Sequence, residues 1–375
     1  MSSNHRIPSG RRGFLKNAAT AGAAALAGAA ASPAAAATPS PDRRLRIGII
    51  GAGEYSFTSY CWSDIIEPYK APNDKNRGTF GTQLLNMDIT HVWDTKPEAA
   101  QTFAERMGAT AVGAYDGMVG KVDGVIFGGL YEVPWQHRLA RPYIEAGIPV
   151  YLSRPFAFCL RDIDEILECA AKNNTPILAT AKFEHYNEAP ALKDKLKSLG
   201  EIQCVQATTW TRDFPVHFHL QFMMLKILGY DVDTVALMTD DPMRNNYLQE
   251  TYLYKGWDGQ KPFLCSMQGA ATKDSFQITI VGSENTTSAS MVRSPHWQDS
   301  LLFRYAPQVI DMQRTFEGHL YEPLENIRKK TEIFLTAYYS HLERGGAPVK
   351  VGTVPVDWKA PSPMPGWIDE SIFRK

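Results

Sequence analysis

Leu45-Arg46-Ile47-Gly48-Ile49-Ile50-Gly51-Ala52-Gly53-Glu54-Tyr55-Ser56 decides the fold. Its first six residues form a short apolar run with β-branched members, which reads as a strand buried on both faces. Gly51 then permits a tight turn, and Gly53 lets the backbone approach a pyrophosphate. Ser56 stands at the third position of the G-x-G-x-x-G fingerprint, where Gly or Ala usually allows close helix packing. A strand feeding such a turn is the opening of a dinucleotide-binding unit.

Downstream segments keep the same rhythm. Asp88–Trp93 reads as a second strand ending in Asp94. An acid there can accept both ribose hydroxyls, which favours NAD over NADP. Asp94 lies about twice the usual ~20 residues beyond Gly53, and a loop around residues 69–82 accounts for the excess. Asp94 is equally placed to cap the helix after Lys96-Pro97. Val122–Phe127 is a third strand, closed by Gly128-Gly129. A helix over 134–146, a strand over 149–152, a helix over 160–173 and a strand over 176–179 follow. This alternation predicts an α/β fold with a doubly wound parallel sheet. Ligands of such sheets sit beyond the carboxyl ends of the strands. The candidates are Gly51, Gly53, Ser56, Asp94, Gly128, Gly129 and on to Tyr131, Ser153-Arg154-Pro155, and Lys182–Tyr186.

The order of segments over residues 45–345 resembles the glucose–fructose oxidoreductase / inositol dehydrogenase / MocA (Gfo/Idh/MocA) family. Glu145-Ala146-Gly147-Ile148-Pro149-Val150-Tyr151-Leu152-Ser153-Arg154-Pro155-Phe156-Ala157 carries the local match. The family reads E-A-G-K-x-V-x-x-E-K-P-L-A there. The resemblance implies an NAD- or NADP-binding sugar or polyol oxidoreductase holding its cofactor tightly. It also implies a C-terminal α/β domain with an open, mostly antiparallel sheet, a carbohydrate substrate and a homo-oligomer. Boundaries follow at 45–180 for the Rossmann domain, 181–345 for the substrate domain and 346–375 for a Pro-rich arm carrying Trp358 and Trp367. That arm is expected either to wrap a neighbouring subunit or to line the cleft.

The chain departs from the family at its catalytic pair, which is Ser153-Arg154 here. Arginine stays protonated and is no ordinary base, though it can orient a hydroxyl or stabilise an oxyanion. It is placed both as an electrostatic catalytic residue and against the cofactor. The resemblance places the family's catalytic histidine on His219 and puts Pro215 where an aspartate is expected, with Asp213 close by. His219 is therefore the expected acid/base. Lys182, at the end of the 176–181 strand, is a candidate replacement for the missing lysine, or a solvated charge.

A second reading stays open. Asp213, His217 and His219, with Glu184 and His185, form a set of oxygen and nitrogen donors. On a strand, His217 and His219 would share a face. Such donors suit zinc, manganese or iron and would make a non-redox, metal-dependent glycan hydrolase or lyase. A third reading is a non-catalytic sugar-binding protein on the same fold.

Beyond residue 181 the sequence predicts strands over 201–210, 234–238, 249–255, 263–269, 275–282 and 301–305, a helix over 217–228 and a long helix over 322–343. His296, Trp297 and His319 are weaker candidates for sugar stacking.

Composition narrows the partners. Lys+Arg is 39 against 40 Asp+Glu, for a net charge of −1. No basic excess points to nucleic acid. Five cysteines without a C-x-x-C pair exclude a zinc ribbon and a complete disulfide framework. Residues 1–44 read as a targeting segment and linker. Arg11-Arg12-Gly13-Phe14-Leu15-Lys16, a weakly apolar alanine run and Ala35-Ala36-Ala37 resemble a twin-arginine signal with a cleavage site. The expected partner is the twin-arginine export machinery, and the expected location periplasmic or secreted.

Overall fold

The computed structural model describes residues 43–53, 56–70, 85–129, 132–209, 214–240, 247–257, 259–269, 276–291, 297–361 and 370–373. The expected signal segment, Asp213, His296 and Trp367 lie outside them.

Six parallel strands form the first sheet: β1 (Leu45–Ile50), β2 (Met87–Trp93), β3 (Thr110–Ala111), β4 (Gly124–Phe127), β5 (Val150–Tyr151) and β6 (Ile177–Leu178). Their order is β3-β2-β1-β4-β5-β6. β1 and β4 are buried almost throughout, as strands covered on both faces must be. The order reverses between β1 and β4, so a crevice opens beyond their carboxyl ends. A π turn over Thr58–Trp62 runs into α1 (Ser63–Ile66). The crossover helices are α2 (Pro97–Met107), α3 (Gln136–Glu145) and α4 (Leu160–Asn173). Gly147, the predicted stop after α3, adopts φ +72°.

The second sheet has seven strands: β7 (Ile202–Thr209), β8 (Val232–Thr239), β9 (Leu248–Tyr254), β10 (Phe263–Gly269), β11 (Phe276–Gly282), β12 (Thr286–Met291) and β13 (Val349–Lys350). Their order is β12-β11-β7-β10-β9-β8-β13, antiparallel except for β7 with β10. α5 (Glu188–Lys195), α6 (Phe214–Leu228), α7 (Trp297–Phe316) and α8 (Leu324–Arg344) complete the fold. From Phe218 to Leu228 nearly every side chain of α6 is buried, as expected of a helix apolar all round. α8 packs on β8 and on α4, joining the second sheet to the first layer. Among the described residues no helix is long and apolar enough to cross a membrane.

One expectation changes. Leu301–Tyr305 is helical, inside α7. Tyr305, Gln308, Val309, Met312 and Phe316 are buried at helical spacing, a period that five residues are too few to display. β12 was not anticipated. The arm begins with an edge strand, since β13 pairs with β8. It then returns over its own Rossmann layer: Ala360 N–H donates to Phe158 O at 2.8 Å, and Phe373 packs on Tyr115 and Trp135.

One buried ion network ties these layers. Lys330 of α8 is fully buried; its ammonium donates to Ala179 O (2.6 Å), Glu184 Oε2 (3.2 Å) and Glu322 Oε1. Glu322 Oε2 in turn accepts Ala179 N–H at 2.9 Å. The two carboxylates hold the Lys330 ammonium above its ordinary pKa despite burial. Lys330→Ala would strand two buried carboxylates, a defect that costs about 3–5 kcal/mol. Urea unfolding should show a loss of that size, and a loss below about 1 kcal/mol would contradict this account.

Candidate functional site

The glycine turn is organised by a carboxylate. Gly51 adopts φ +82°, a region that favours glycine, and donates its N–H to Trp93 O at 2.9 Å. Asp94 Oδ2 accepts the N–H groups of Ala52 (2.6 Å) and Gly53 (2.9 Å), while Oδ1 accepts Lys96 N–H (2.8 Å). Asp94 therefore pins the turn to the end of β2. The N-cap residue of α2 is Lys96, so Asp94 assists that helix from two positions upstream. Ser56 Oγ donates to Gly51 O at 2.6 Å and accepts Thr58 N–H at 3.2 Å. Its backbone bridges to Gly129. The serine that departs from the fingerprint closes the turn on itself.

Sequence reasoning missed Glu132, which follows Gly128-Gly129. A Cβ on Gly129 would lie 1.7 Å from Glu132 Oε2, and one on Gly51 would lie 2.7 Å from it. A Cβ on Gly128 would meet Thr58 Oγ1 at 1.8 Å. At these positions the chain's own side chains occupy the space a Cβ would take. Glu132 is buried and its Oε2 has no partner. Burial and the nearby Asp94 push its carboxyl up to about 8. No sequence signal marks it, because a lone acid in a loop carries no spacing.

Arg154, Lys182 and His219 come together from three elements. Arg154 follows β5, Lys182 starts the turn after β6, and His219 lies on α6. Arg154 is fully buried, with its guanidinium 3.8 Å from the Phe57 ring centre and within 6 Å of those of Trp62 and Phe218. Among the described residues its Nη1 reaches only Ser153 Oγ at 3.5 Å, and Nε and Nη2 have no partner. Half-buried Lys182 lies over the rings of Tyr305 and Phe183. His219 packs against Phe183 and Phe218, and its buried Nδ1 has no partner. Burial first, then the charges of Arg154 and Lys182, hold His219 well below its ordinary pKa, so it is a neutral imidazole at neutral pH. The same cations act on Cys61, but burial dominates and pushes its thiol up, leaving it protonated.

The proposed metal donors separate. His217 and His219 lie on a helix and not on a strand, so two residues' separation turns them to different faces. Buried His217 Nε2 lies 3.2 Å from Glu250 Oε2. Glu184 is bound to Lys330 and accepts Ala181 N–H. His185 Nδ1 lies 2.9 Å from Asp311 Oδ2, with its Nε2 2.7 Å from Thr180 Oγ1. Among the described residues no group of three or more His, Cys, Asp or Glu side chains is placed to hold a metal ion. His319 is exposed after α7.

The residues present fit a dinucleotide. A strand, a positive-φ glycine turn and an acid at the end of β2 meet at the switch point, and the orphaned Glu132 Oε2 is a buried polar atom beside the turn that a bound ligand can satisfy. These features define the class, a Rossmann layer followed by a mixed-sheet α/β domain. Residues 45–181 match the model of the Gfo/Idh/MocA oxidoreductase family, NAD-binding Rossmann fold. The chain's fold is similar to that of scyllo-inositol dehydrogenase from Lactobacillus casei, solved with bound NAD(H) and scyllo-inositol (12% identity, TM-score 0.66, covering 83% of this chain and 100% of that one). It is also similar to a probable dehydrogenase from Thermotoga maritima (16%, 0.65, 83% and 100%). A third such structure is the WlbA dehydrogenase from Bordetella pertussis with NADH and UDP-GlcNAcA (17%, 0.62, 84% and 100%). No curated protein matches the chain.

Glu132 makes stability pH-dependent. Its folded pKa of about 8 exceeds the unfolded value, so the folded state holds the extra proton between the two. Stability is then highest below about 4.5, as far as this group is concerned, and falls as pH rises through about 8. Glu132→Gln should remove that slope and raise the melting temperature at pH 8 more than at pH 5. Equal shifts at both pH values would contradict a buried, protonated carboxyl.

Proposed function

We propose that the protein is an NAD-dependent oxidoreductase of a carbohydrate or polyol hydroxyl, with His219 as proton acceptor. The observation that carries this reading is the convergence of neutral His219, whose buried Nδ1 has no partner, with Arg154 and Lys182. Gly51, Gly53, Ser56, Asp94, Glu132, Gly128 and Gly129 would hold the dinucleotide. Bound NAD supplies the acceptor for the hydride leaving the carbinol carbon. His219 Nδ1 takes the hydroxyl proton as the carbonyl forms. Arg154 stabilises the developing alkoxide, which needs a fixed positive charge rather than a base. Lys182 adds to the same field. The cations beside His219 disfavour the imidazolium, so the proton passes on to solvent. Hydride and proton together account for both hydrogens lost by the alcohol.

The test is the nicotinamide absorbance of the purified protein on adding sugars, polyols and sugar acids. His219→Ala should lower the rate of that change by about 10²–10⁴-fold with cofactor retained. A variant with full activity removes the assignment. Stoichiometric transition metal, activity lost to chelator and a silent nicotinamide would favour the metal-dependent reading.

Export belongs to this proposal, supported by Arg11-Arg12 ahead of Phe14-Leu15-Lys16. An exported enzyme meets no free nicotinamide pool, so its NAD stays bound and is regenerated in place. Replacing Arg11 and Arg12 by lysine should retain the protein in the cytoplasm, as cell fractionation would show; unchanged export would overturn the signal assignment. Homo-oligomer formation is proposed with it, supported by the half-open face of the second sheet, where Leu264 and Met238 are exposed.

A further inference from the structure

We infer that the substrate carries a carboxylate, bound by the free edge of Arg154, so that the protein acts on a sugar acid rather than on a neutral sugar. This rests on the proposed reading of the site and narrows it.

The unpartnered nitrogens of Arg154, Nε and Nη2, form one edge of the guanidinium. Two parallel N–H groups on one edge match the two oxygens of a carboxylate. The residue is fully buried, and a buried cation without a counter-charge is costly. The Phe57 ring at 3.8 Å recovers part of that cost through its face. A ring offers no acceptor in the plane of the guanidinium, so the two N–H groups remain unmet.

Three described carboxylates have basic partners of their own. Asp64 lies 3.4 Å from Arg106, Glu184 faces Lys330, and Asp311 faces His185. Lys182 strengthens the positive field over His219 and Cys61. The cofactor's phosphates are the other available anion. Their turn is edged by Asp94 and Glu132, whereas Arg154 stands among the residues around His219, where the substrate hydroxyl must lie. A uronate or aldonate places a carboxylate and an oxidisable hydroxyl on one small molecule. Its anion would neutralise Arg154 and relieve the cationic field that disfavours a proton on His219.

The test uses the purified, nucleotide-bearing protein and calorimetric titration with glucuronate, gluconate, glucuronic acid methyl ester, glucose and myo-inositol. The acids should bind at least tenfold tighter than the ester and the neutral compounds, the order expected of one charged hydrogen-bonded contact. The preference should shrink with salt. Arg154→Gln should abolish it while leaving the bound nucleotide in place, and Arg154→Lys should keep part of it. If that variant fails to fold, the acid–ester comparison on the unaltered protein still decides. Equal affinity for acid and ester overturns the proposal. So does an Arg154→Gln variant that releases the nucleotide but keeps the acid preference, since Arg154 would then serve the cofactor. Acid preference with a silent nicotinamide upholds the carboxylate and sinks the redox reading. Nicotinamide reduction by neutral sugars, with the acids bound no better than glucose, does the reverse.

Discussion

The Asp94 carboxylate is the contact on which the cofactor end of the molecule depends. It joins the ends of β1 and β2 by accepting two turn amides on one oxygen and the amide leading into α2 on the other. Charged acceptors make stronger hydrogen bonds than neutral ones, and here all three donors are backbone. The turn is thereby held without help from a ligand, and Gly51 keeps its positive φ. Ser56 secures the other side by donating to Gly51 O and bridging to Gly129. The turn, the end of β4 and the first residues of the π turn therefore behave as one body.

Burial sets the chemistry of the groups around that body. Glu132 is pushed toward its protonated form by burial beside a second carboxylate, and His219 toward its neutral form by burial beside two cations. Both shifts follow from placing a charge where water cannot solvate it and a like charge stands close. The structure tolerates full burial of Lys330 because two carboxylates and a carbonyl surround it. Arg154 is buried to the same degree with aromatic faces in place of acids. Arg154 is thus a buried charge that these aromatic faces, and no described acid, surround.

Five strands of the first sheet were legible because each is announced locally, whereas the two-residue β3 was not. Ile47–Gly53, Val122–Gly129 and Pro149–Leu152 are apolar runs closed by glycine or polar turns. Much of the second sheet was legible through alternation, as in β9, where Leu248, Glu250, Tyr252 and Tyr254 point inward. That same strand shows the limit, since inward Glu250 is matched by His217 from another element. Leu301–Tyr305 was misread because a helix entering the core is locally as apolar as a strand. The expected signal segment and Asp213 fall outside the described residues.

Sequence alone determined the class of fold, the glycine turn, the acid at the end of β2 and the substitution of Ser153-Arg154 for the usual pair. These are properties of short stretches, where backbone conformation follows residue type. Tertiary structure decided what each side chain faces. It turned His217 away from His219, engaged Glu184 and His185 elsewhere and brought Glu132 over the glycines. It also left one edge of Arg154 without a partner. Those outcomes depend on which distant segments share a buried volume, and no spacing along the chain encodes that.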